Sequence, residues 1–171
     1  MSDGETFLAF DYGERRIGVA VGQSVTGTAS PLVTVGVREG EPDWGRIAGI
    51  VEEWKPDGLV VGEPLHLDGS PQPMTRRARR FQHALRSRFA LPVHAADERL
   101  STIEARAELA ARGAFRGSEA RRRLVMDHPV AARIILEAWL VARGRDRAAA
   151  NANGGASLRP RSRPKRPAEG G

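Results

Sequence analysis

The chain has 171 residues, a formal net charge of +6 and no cysteine. That length allows one domain of typical size plus a tail, and the lack of cysteine excludes disulfides and thiolate metal sites. The N-terminus carries no basic segment followed by an apolar run, and no stretch approaches the roughly 20 apolar residues that span a bilayer. We therefore expect a cytoplasmic protein without a membrane segment.

The positive charge is concentrated near the C-terminus. Residues 144–171 hold seven basic and two acidic side chains, so they supply +5 of the net +6. Their Arg-Pro alternation and lack of apolar periodicity are typical of disordered chain. We predict a folded domain over residues 1–143 and a disordered basic tail over 144–171. The tail either attracts nucleic acid weakly or serves as a solubilising extension.

In chain order, the folded part alternates strand and helix patterns. Three short apolar strands come first, at residues 7–10, 17–21 and 32–35. A helix capped by Asp43, a buried strand at 59–61, a helix over 78–85 and a fifth strand from residue 91 follow. A capping box at residues 101–104 predicts another helix, and a last helix follows Pro129. A meander followed by αβαβ units predicts an α/β domain with a mixed sheet covered by helices.

Acidic residues stand where several of these elements end or begin. Asp11 follows the first strand, Glu63 follows the fourth, Asp97 and Glu98 follow the fifth, and Asp127 precedes the last helix. Because the carboxyl ends of parallel strands meet at one edge of a sheet, we expect several of these carboxylates to converge. A hard divalent cation keeps converging carboxylates ionised, which favours Mg²⁺ or Mn²⁺. Zinc is disfavoured because none of the four histidines forms an H-x-x-x-H pair.

Each of these residues also has a purely structural interpretation. An aspartate at a strand end, such as Asp11, more often stabilises a turn than takes part in catalysis. Asp97 could accept backbone N–H groups, Asp127 could complement a helix dipole, and Glu63 could be solvated. Three helix arginines are more typical of a solvated face than of a phosphate clamp: Arg76, Arg79 and Arg80. Periodicity alone therefore leaves the function open.

Several long motifs, in order, resemble the bacterial YqgF family, also called RuvX. They are LAFDYGERRIGVA at 8–20, ASP at 29–31, VVGEPLHLDGS at 60–70, DERLST at 97–102 and AARIILE at 131–137. These ribonuclease-H-like proteins are similar to the Holliday junction resolvase RuvC and are described as pre-16S rRNA nucleases. The resemblance covers about residues 6–142. It implies a ribonuclease-H-like mixed five-stranded sheet flanked by helices, with phosphodiester hydrolysis at a carboxylate site.

The resemblance also implies site residues. The family carries an aspartate on strand one, here Asp11, and a glutamate in the DER motif, here Glu98. A third acid belongs to a D-x-x-A-A pattern at the start of the last helix. In this chain His128 occupies that position, and Asp127 lies one residue earlier.

This one-residue offset leaves the third ligand open. Proline favours the first helical position and disfavours helical geometry in the residue before it, so we predict that the helix begins at Pro129 with His128 outside it. Asp127 then lies in an entry segment from which it can approach the site, and we favour it as the third ligand. The alternatives are His128 as a ligand, loss of the third ligand, or an additional ligand from Glu63, where many relatives carry an apolar residue.

The implied reaction is hydrolysis at a two-metal Mg²⁺ or Mn²⁺ site. Asp11 would contact both ions, and Glu98 and Asp127 would complete the coordination. Basic residues beside the acids are candidate phosphate contacts: Arg15, Arg16 and Arg99. The helix arginines Arg76, Arg79 and Arg80 could track the nucleic-acid backbone.

The expected substrate is the 5′ end of pre-16S rRNA in ribosome biogenesis. The alternatives are a Holliday-junction-type DNA resolvase and a catalytically weak RNA-binding ribosome-assembly factor. An actin-like ATPase is disfavoured, since that class has two related domains and this chain has one copy.

Overall fold

The elements of the fold are taken from a computed structural model, which describes residues 4–99 and 128–154. The strands are β1 (Thr6–Tyr12), β2 (Arg16–Gln23), β3 (Thr28–Arg38), β4 (Glu41–Pro42), β5 (Gly58–Glu63) and β6 (Val93–Asp97). The helices are α1 (Trp44–Trp54), α2 (Pro73–Phe89) and α3 (His128–Gly154). The predicted helix after Ser101 and the candidate ligand Asp127 lie outside the described residues. Within the described ranges, no helix has both the length and the apolar character needed to cross a membrane.

The strands form one mixed sheet in the order β4-β3-β2-β1-β5-β6. β1, β2 and β3 pair antiparallel, and β1, β5 and β6 pair parallel, which confirms the predicted α/β class. The sheet has six strands rather than the five predicted. The additional strand is β4, because Glu39 and Gly40 have φ values of 52° and 79°. Positive φ at both positions suits a tight hairpin turn, which folds residues 41–42 back onto β3.

The two faces of the sheet carry separate apolar cores. Side chains alternate along a strand, so Leu8 and Phe10 of β1 pack towards α1 and α2, whereas Phe7 and Ala9 pack towards α3. On the first face the core includes Ile47, Phe81 and Leu85. On the second face it includes Ile135, Leu136 and Leu140. Each residue of β1 therefore has a defined helix layer as its neighbour.

Both ends of α3 differ from the prediction. His128 is within the helix rather than outside it, because the first turn packs directly on the backbone of β2, as described below. At the other end, residues 144–154 are helical and residues 144–153 are exposed, which differs from the disorder predicted for them. Lack of apolar periodicity is a poor guide here, since a helix that is already nucleated extends through alanine and arginine without packing. Residues 155–171 lie outside the described part of the chain.

Candidate active site

Asp11 lies near the carboxyl end of β1, between β2 and β5 in the sheet. It follows Phe7 and Ala9 at the spacing of two residues that places a side chain on the α3 face. Its side chain is 18% exposed, so it is held by the sheet and still reachable from solvent. The next residue, Tyr12, points to the other face and packs against Phe81. The interior strand β1 therefore presents one carboxylate on the α3 side.

His128 is the direct partner of Asp11. Its Nδ1 lies 3.1 Å from Asp11 Oδ2, so the first residue of α3 contacts the end of β1. An ionised carboxylate only accepts hydrogen bonds, so Nδ1–H is the donor in this pair. With Nδ1 used in this way, the contact fixes the orientation of the Asp11 carboxylate.

Gly18 allows α3 to begin so close to the sheet. It pairs with Asp11 across β1 and β2. A Cβ at Gly18 would overlap the carbonyl group of His128 and lie 2.6 Å from the nitrogen of Pro129. Only glycine leaves room for this approach. The glycine in the RRIGVA segment therefore determines where the imidazole of His128 sits.

Glu98, which immediately follows β6, comes to the same face. A Cβ at Gly62 would lie 2.5 Å from Glu98 Oε1 and 2.8 Å from Ile135 of α3. Asp11 and Gly62 each stand one position beyond the last paired residues of β1 and β5, Phe10 and Val61. The Glu98 carboxylate therefore lies over the end of β5, beside Asp11 on the α3 face.

The electrostatics of Glu98 reflect this position. Burial, together with the smaller effect of the negative charges of Asp11 and Asp97, raises the pKa of its carboxyl group to about 7. A carboxyl group that is costly to ionise beside another carboxylate is a place where a cation is stabilised. Asp11 and Glu98 therefore fit a hard divalent cation with oxygen ligands. Among residues 4–99 and 128–154 no group of three metal-ligating side chains is present, so a third ligand would come from outside those ranges or by rearrangement.

Glu63 points to the opposite side of the sheet. Its Oε1 accepts hydrogen bonds from Gln82 Nε2 at 3.0 Å and Arg79 Nε at 3.2 Å, both on α2. The Glu63 side chain is only 15% exposed, so it is not a solvated loop residue. This carboxylate connects the end of β5 to α2, whereas Asp11 and Glu98 face α3.

Arg99 ties a loop to the edge of the sheet that bears the acids. Its Nε lies 3.0 Å from both carboxylate oxygens of Asp97, and Nη1 donates to the Leu67 carbonyl at 3.2 Å. This pairing holds the pKa of Asp97 below its usual value. Asp97 is thus engaged with Arg99, and the loop that follows β5 is anchored beside Glu98.

The other candidate basic residues fall into two groups. Arg15 and Arg16 are exposed at the turn between β1 and β2, next to Asp11 in the chain. The second group is exposed on α2, across the sheet from Asp11: Arg76, Arg79 and Arg80. Arg15 and Arg16 are therefore near Asp11 along the chain and Arg99 is next to Glu98, whereas the second group lies on the opposite face of the sheet.

The contacts of Gly18 and Gly62 are the part of the site that sequence reasoning missed. Both are glycines inside strands, where glycine weakens the strand unless another group approaches closely. That signal was present in the sequence, but it does not say which group approaches. The identity of the neighbours, His128 and Glu98, comes only from the fold.

Comparison with known proteins identifies a family and several similar proteins. The family model for RuvX, described as "Holliday junction resolvase", matches residues 5–142. A protein of Pseudomonas putida named "Putative pre-16S rRNA nuclease" is 48% identical over 145 residues, covering 83% of this chain and 99% of the relative. A protein of the same name from Azotobacter vinelandii is 49% identical over 143 residues, covering 84% of this chain and 98% of the relative.

A solved structure shares the fold at lower sequence identity. The structure described as "T. thermophilus RuvC in complex with Holliday junction substrate" superposes with a TM-score of 0.53 and 19% identity. The match covers 82% of this chain and 96% of that one. This likeness identifies the sheet and its helices as ribonuclease-H-like. With the family match across most of its length, the chain belongs to the RuvX family.

Proposed function

We propose that this protein is a divalent-cation-dependent endonuclease that processes the 5′ end of pre-16S rRNA in the cytoplasm during ribosome biogenesis. The observation that carries the proposal is that the carboxyl groups of Asp11 and Glu98 lie near one another at one edge of the sheet, where the pKa of Glu98 is about 7. The names of the relatives from Pseudomonas putida and Azotobacter vinelandii support rRNA as the substrate.

The residues have separate tasks in this proposal. Asp11 and Glu98 would hold two Mg²⁺ or Mn²⁺ ions, with Asp127 as the third ligand. When bound, such ions lower the pKa of a water molecule and stabilise the charge on the leaving oxygen. His128 keeps Asp11 oriented through its 3.1 Å contact. Arg99, Arg15 and Arg16 would contact the phosphates that flank the scissile bond.

Replacement of Asp11 tests the reaction. Asp11→Asn keeps the size of the side chain and removes its charge, so we expect cleavage of labelled pre-16S rRNA in Mn²⁺ to fall by about 10²–10³-fold or more. The exposed acid Glu53 on α1 offers a matched control, and Glu53→Gln should cleave at the wild-type rate. Full cleavage by Asp11→Asn would refute the proposal.

The third ligand is tested by calorimetric titration with Mn²⁺. We expect Asp127→Asn to weaken Mn²⁺ binding by about 10–100-fold, because it removes an anionic ligand. His128→Asn retains a donor for Asp11 and should have a smaller effect, and Glu63→Gln should leave the affinity unchanged, since Glu63 faces α2. A larger loss for His128→Asn or Glu63→Gln than for Asp127→Asn would assign the ligand differently.

A DNA junction resolvase is the second candidate. It is favoured by the description of the matching family model and by the RuvC fold. Cleavage of a four-way DNA junction and of pre-16S rRNA by the same preparation, at equal substrate concentration, separates the two. Binding of rRNA without any cut would instead favour a ribosome-assembly factor, as would a site that fails to gather a third ligand.

A further inference from the structure

A second groove lies on the face of the sheet that carries α2. It has a volume of about 580 Å³ and is bordered by α2, the start of α1 and the β3–β4 hairpin. Tyr12 lines this groove, while Asp11, the preceding residue, faces α3. The groove and the carboxylate site therefore meet at the end of β1, one on each face.

Aromatic side chains form one wall of the groove. Trp44 and Phe81 lie 5.6 Å apart with an angle of 25° between their rings, and Tyr12 packs on Phe81 at 5.1 Å. Phe81 is buried, whereas Tyr12 and Trp44 are only partly covered. The guanidinium of Arg88 lies 4.2 Å from the centre of the Trp44 ring. Flat groups that stack on one another are thus already present at the surface.

Arginines form the second wall. The sequence of α2 contains six arginines and no acidic residue. Arg77 pairs with Glu14, whereas Arg80 makes no ion pair or hydrogen bond with any residue in the described part of the chain. Glu41 is the other acid in the lining, so the groove has a positive balance.

We propose that this groove binds a single-stranded RNA segment of the substrate, with a base against Trp44 and Arg88 and the adjacent phosphates on Arg80 and Arg77. Stacking on aromatic rings and arginine planes, combined with basic contacts to the backbone, is how proteins hold unpaired strands. The volume suits one ligand-sized group such as a single base. The inference rests on the proposed function, because the RNA would reach the groove over the end of β1 from the carboxylate site.

Binding of labelled RNA without divalent cations tests the groove. The probes are a short single-stranded RNA and the same RNA annealed to its complement, followed by fluorescence anisotropy over a salt series. We expect Arg80→Gln to lower the salt slope for the single strand by about 0.7, the value for one phosphate contact. The control is Arg145→Gln, which removes an exposed arginine of α3 outside the groove. It should not lower the salt slope for the single strand more than the slope for the duplex.

Removal of the stacking surface gives a second measure. Trp44→Leu should weaken binding of the single strand by about tenfold and leave duplex binding unchanged. Trp54→Leu, at the other end of α1, removes a tryptophan outside the groove and should bind normally. Trp44 also packs against the core, so its replacement could destabilise the fold. A Trp54→Phe, Trp139→Phe protein keeps Trp44 as its one tryptophan, and the fluorescence of Trp44 then reports binding directly. The single strand should quench it and the duplex should not.

The groove and the proposed reaction can fail separately. Unchanged affinity and salt slope in Arg80→Gln, with no quenching of Trp44, would refute binding of RNA in the groove even if Asp11→Asn proves inactive. Conversely, strand binding that depends on Arg80 and Trp44 in a protein that cuts no RNA would leave the groove in place and refute the nuclease.

Discussion

At the scale of single residues, Glu98 has the largest pKa shift that is resolved for the residues in the described ranges. It is partly withdrawn from water and lies near two carboxylates, so its pKa is raised to about 7 from a usual value of 4.5. The pKa of its neighbour Asp97 is lowered instead, because the Arg99 side chain binds the ionised Asp97 carboxylate. Two adjacent acids in the DER motif are thus in different electrostatic environments: Asp97 is engaged in an ion pair, whereas Glu98 is buried near other negative charges.

This difference predicts a pH dependence of stability in metal-free protein. The folded state binds the Glu98 proton more tightly than the unfolded state, so this contribution is fully present below pH 4.5 and is lost as the pH rises to about 7. The loss should reach about 3 kcal/mol at most. Urea unfolding in the presence of a chelator, from pH 4.5 to above 7, measures it.

The control for this prediction is Glu98→Gln, which is neutral at every pH. It should unfold with a flatter pH profile than wild type, and it should be the more stable protein above pH 7. Parallel profiles for the two proteins would show that the Glu98 carboxyl group ionises as freely in the fold as in the unfolded chain.

At the scale of elements, the junction between β2 and α3 positions the site. The backbone of His128 and Pro129 packs on Gly18, and that contact brings the imidazole to Asp11. Further along, α3 packs Ile135 and Leu136 on the same face, and Arg143, in the middle of α3, donates a hydrogen bond of 2.9 Å to Glu5, the residue before β1. The helix is thus held at both ends of the sheet.

A methyl group at Gly18 should displace the start of α3. Because the clash is with backbone, neither side can relax by changing a rotamer, and we expect Gly18→Ala to lower the free energy of unfolding by about 2–3 kcal/mol. It should also reduce cleavage. Gly36→Ala on the neighbouring strand is the matched control, since a Cβ there meets nothing within 4 Å. Thermal melts of the two variants make the comparison, and equal stabilities would contradict this account of α3.

At the scale of the whole molecule, charge is unevenly distributed between the two faces of the sheet and the C-terminal residues. Asp11 and Glu98 lie on the α3 side, the arginine-rich helix α2 lies on the other side, and α3 carries the chain away from the sheet to Gly154. The remaining residues, 155–171, contain five basic side chains and one acidic one. Most of the net charge of the protein is therefore remote in sequence from the site.

Truncation after Gly154 should weaken the binding of rRNA without changing the rate of its cleavage. The removed segment has one large apolar residue, Leu158, and cannot contribute much to a core, so the melting temperature should stay the same. Affinity for rRNA should fall and its salt dependence should become shallower. Cleavage under saturating single-turnover conditions should be unchanged. A protein with a lower melting temperature would show that the tail packs on the domain.

The sequence by itself determined the class of the fold and predicted which acidic residues belong to the candidate site. Alternating apolar periods predicted the meander, both early helices and the strand that ends at Asp97, because these patterns depend on local geometry alone. It also singled out Asp11 and Glu98. Local patterns failed at β4, where a turn creates a strand of two residues, and beyond residue 143, where a helix continues without an apolar stripe.

Only the tertiary structure decided which acid faces which helix. Asp11 and Glu98 share the α3 face, whereas Glu63, which also ends a strand, turns to α2 and binds Arg79 and Gln82. Side chains of a strand point alternately to opposite faces, so the assignment depends on strand register and on which helix covers each face. Both are set by contacts between residues distant in the chain, which no local pattern contains.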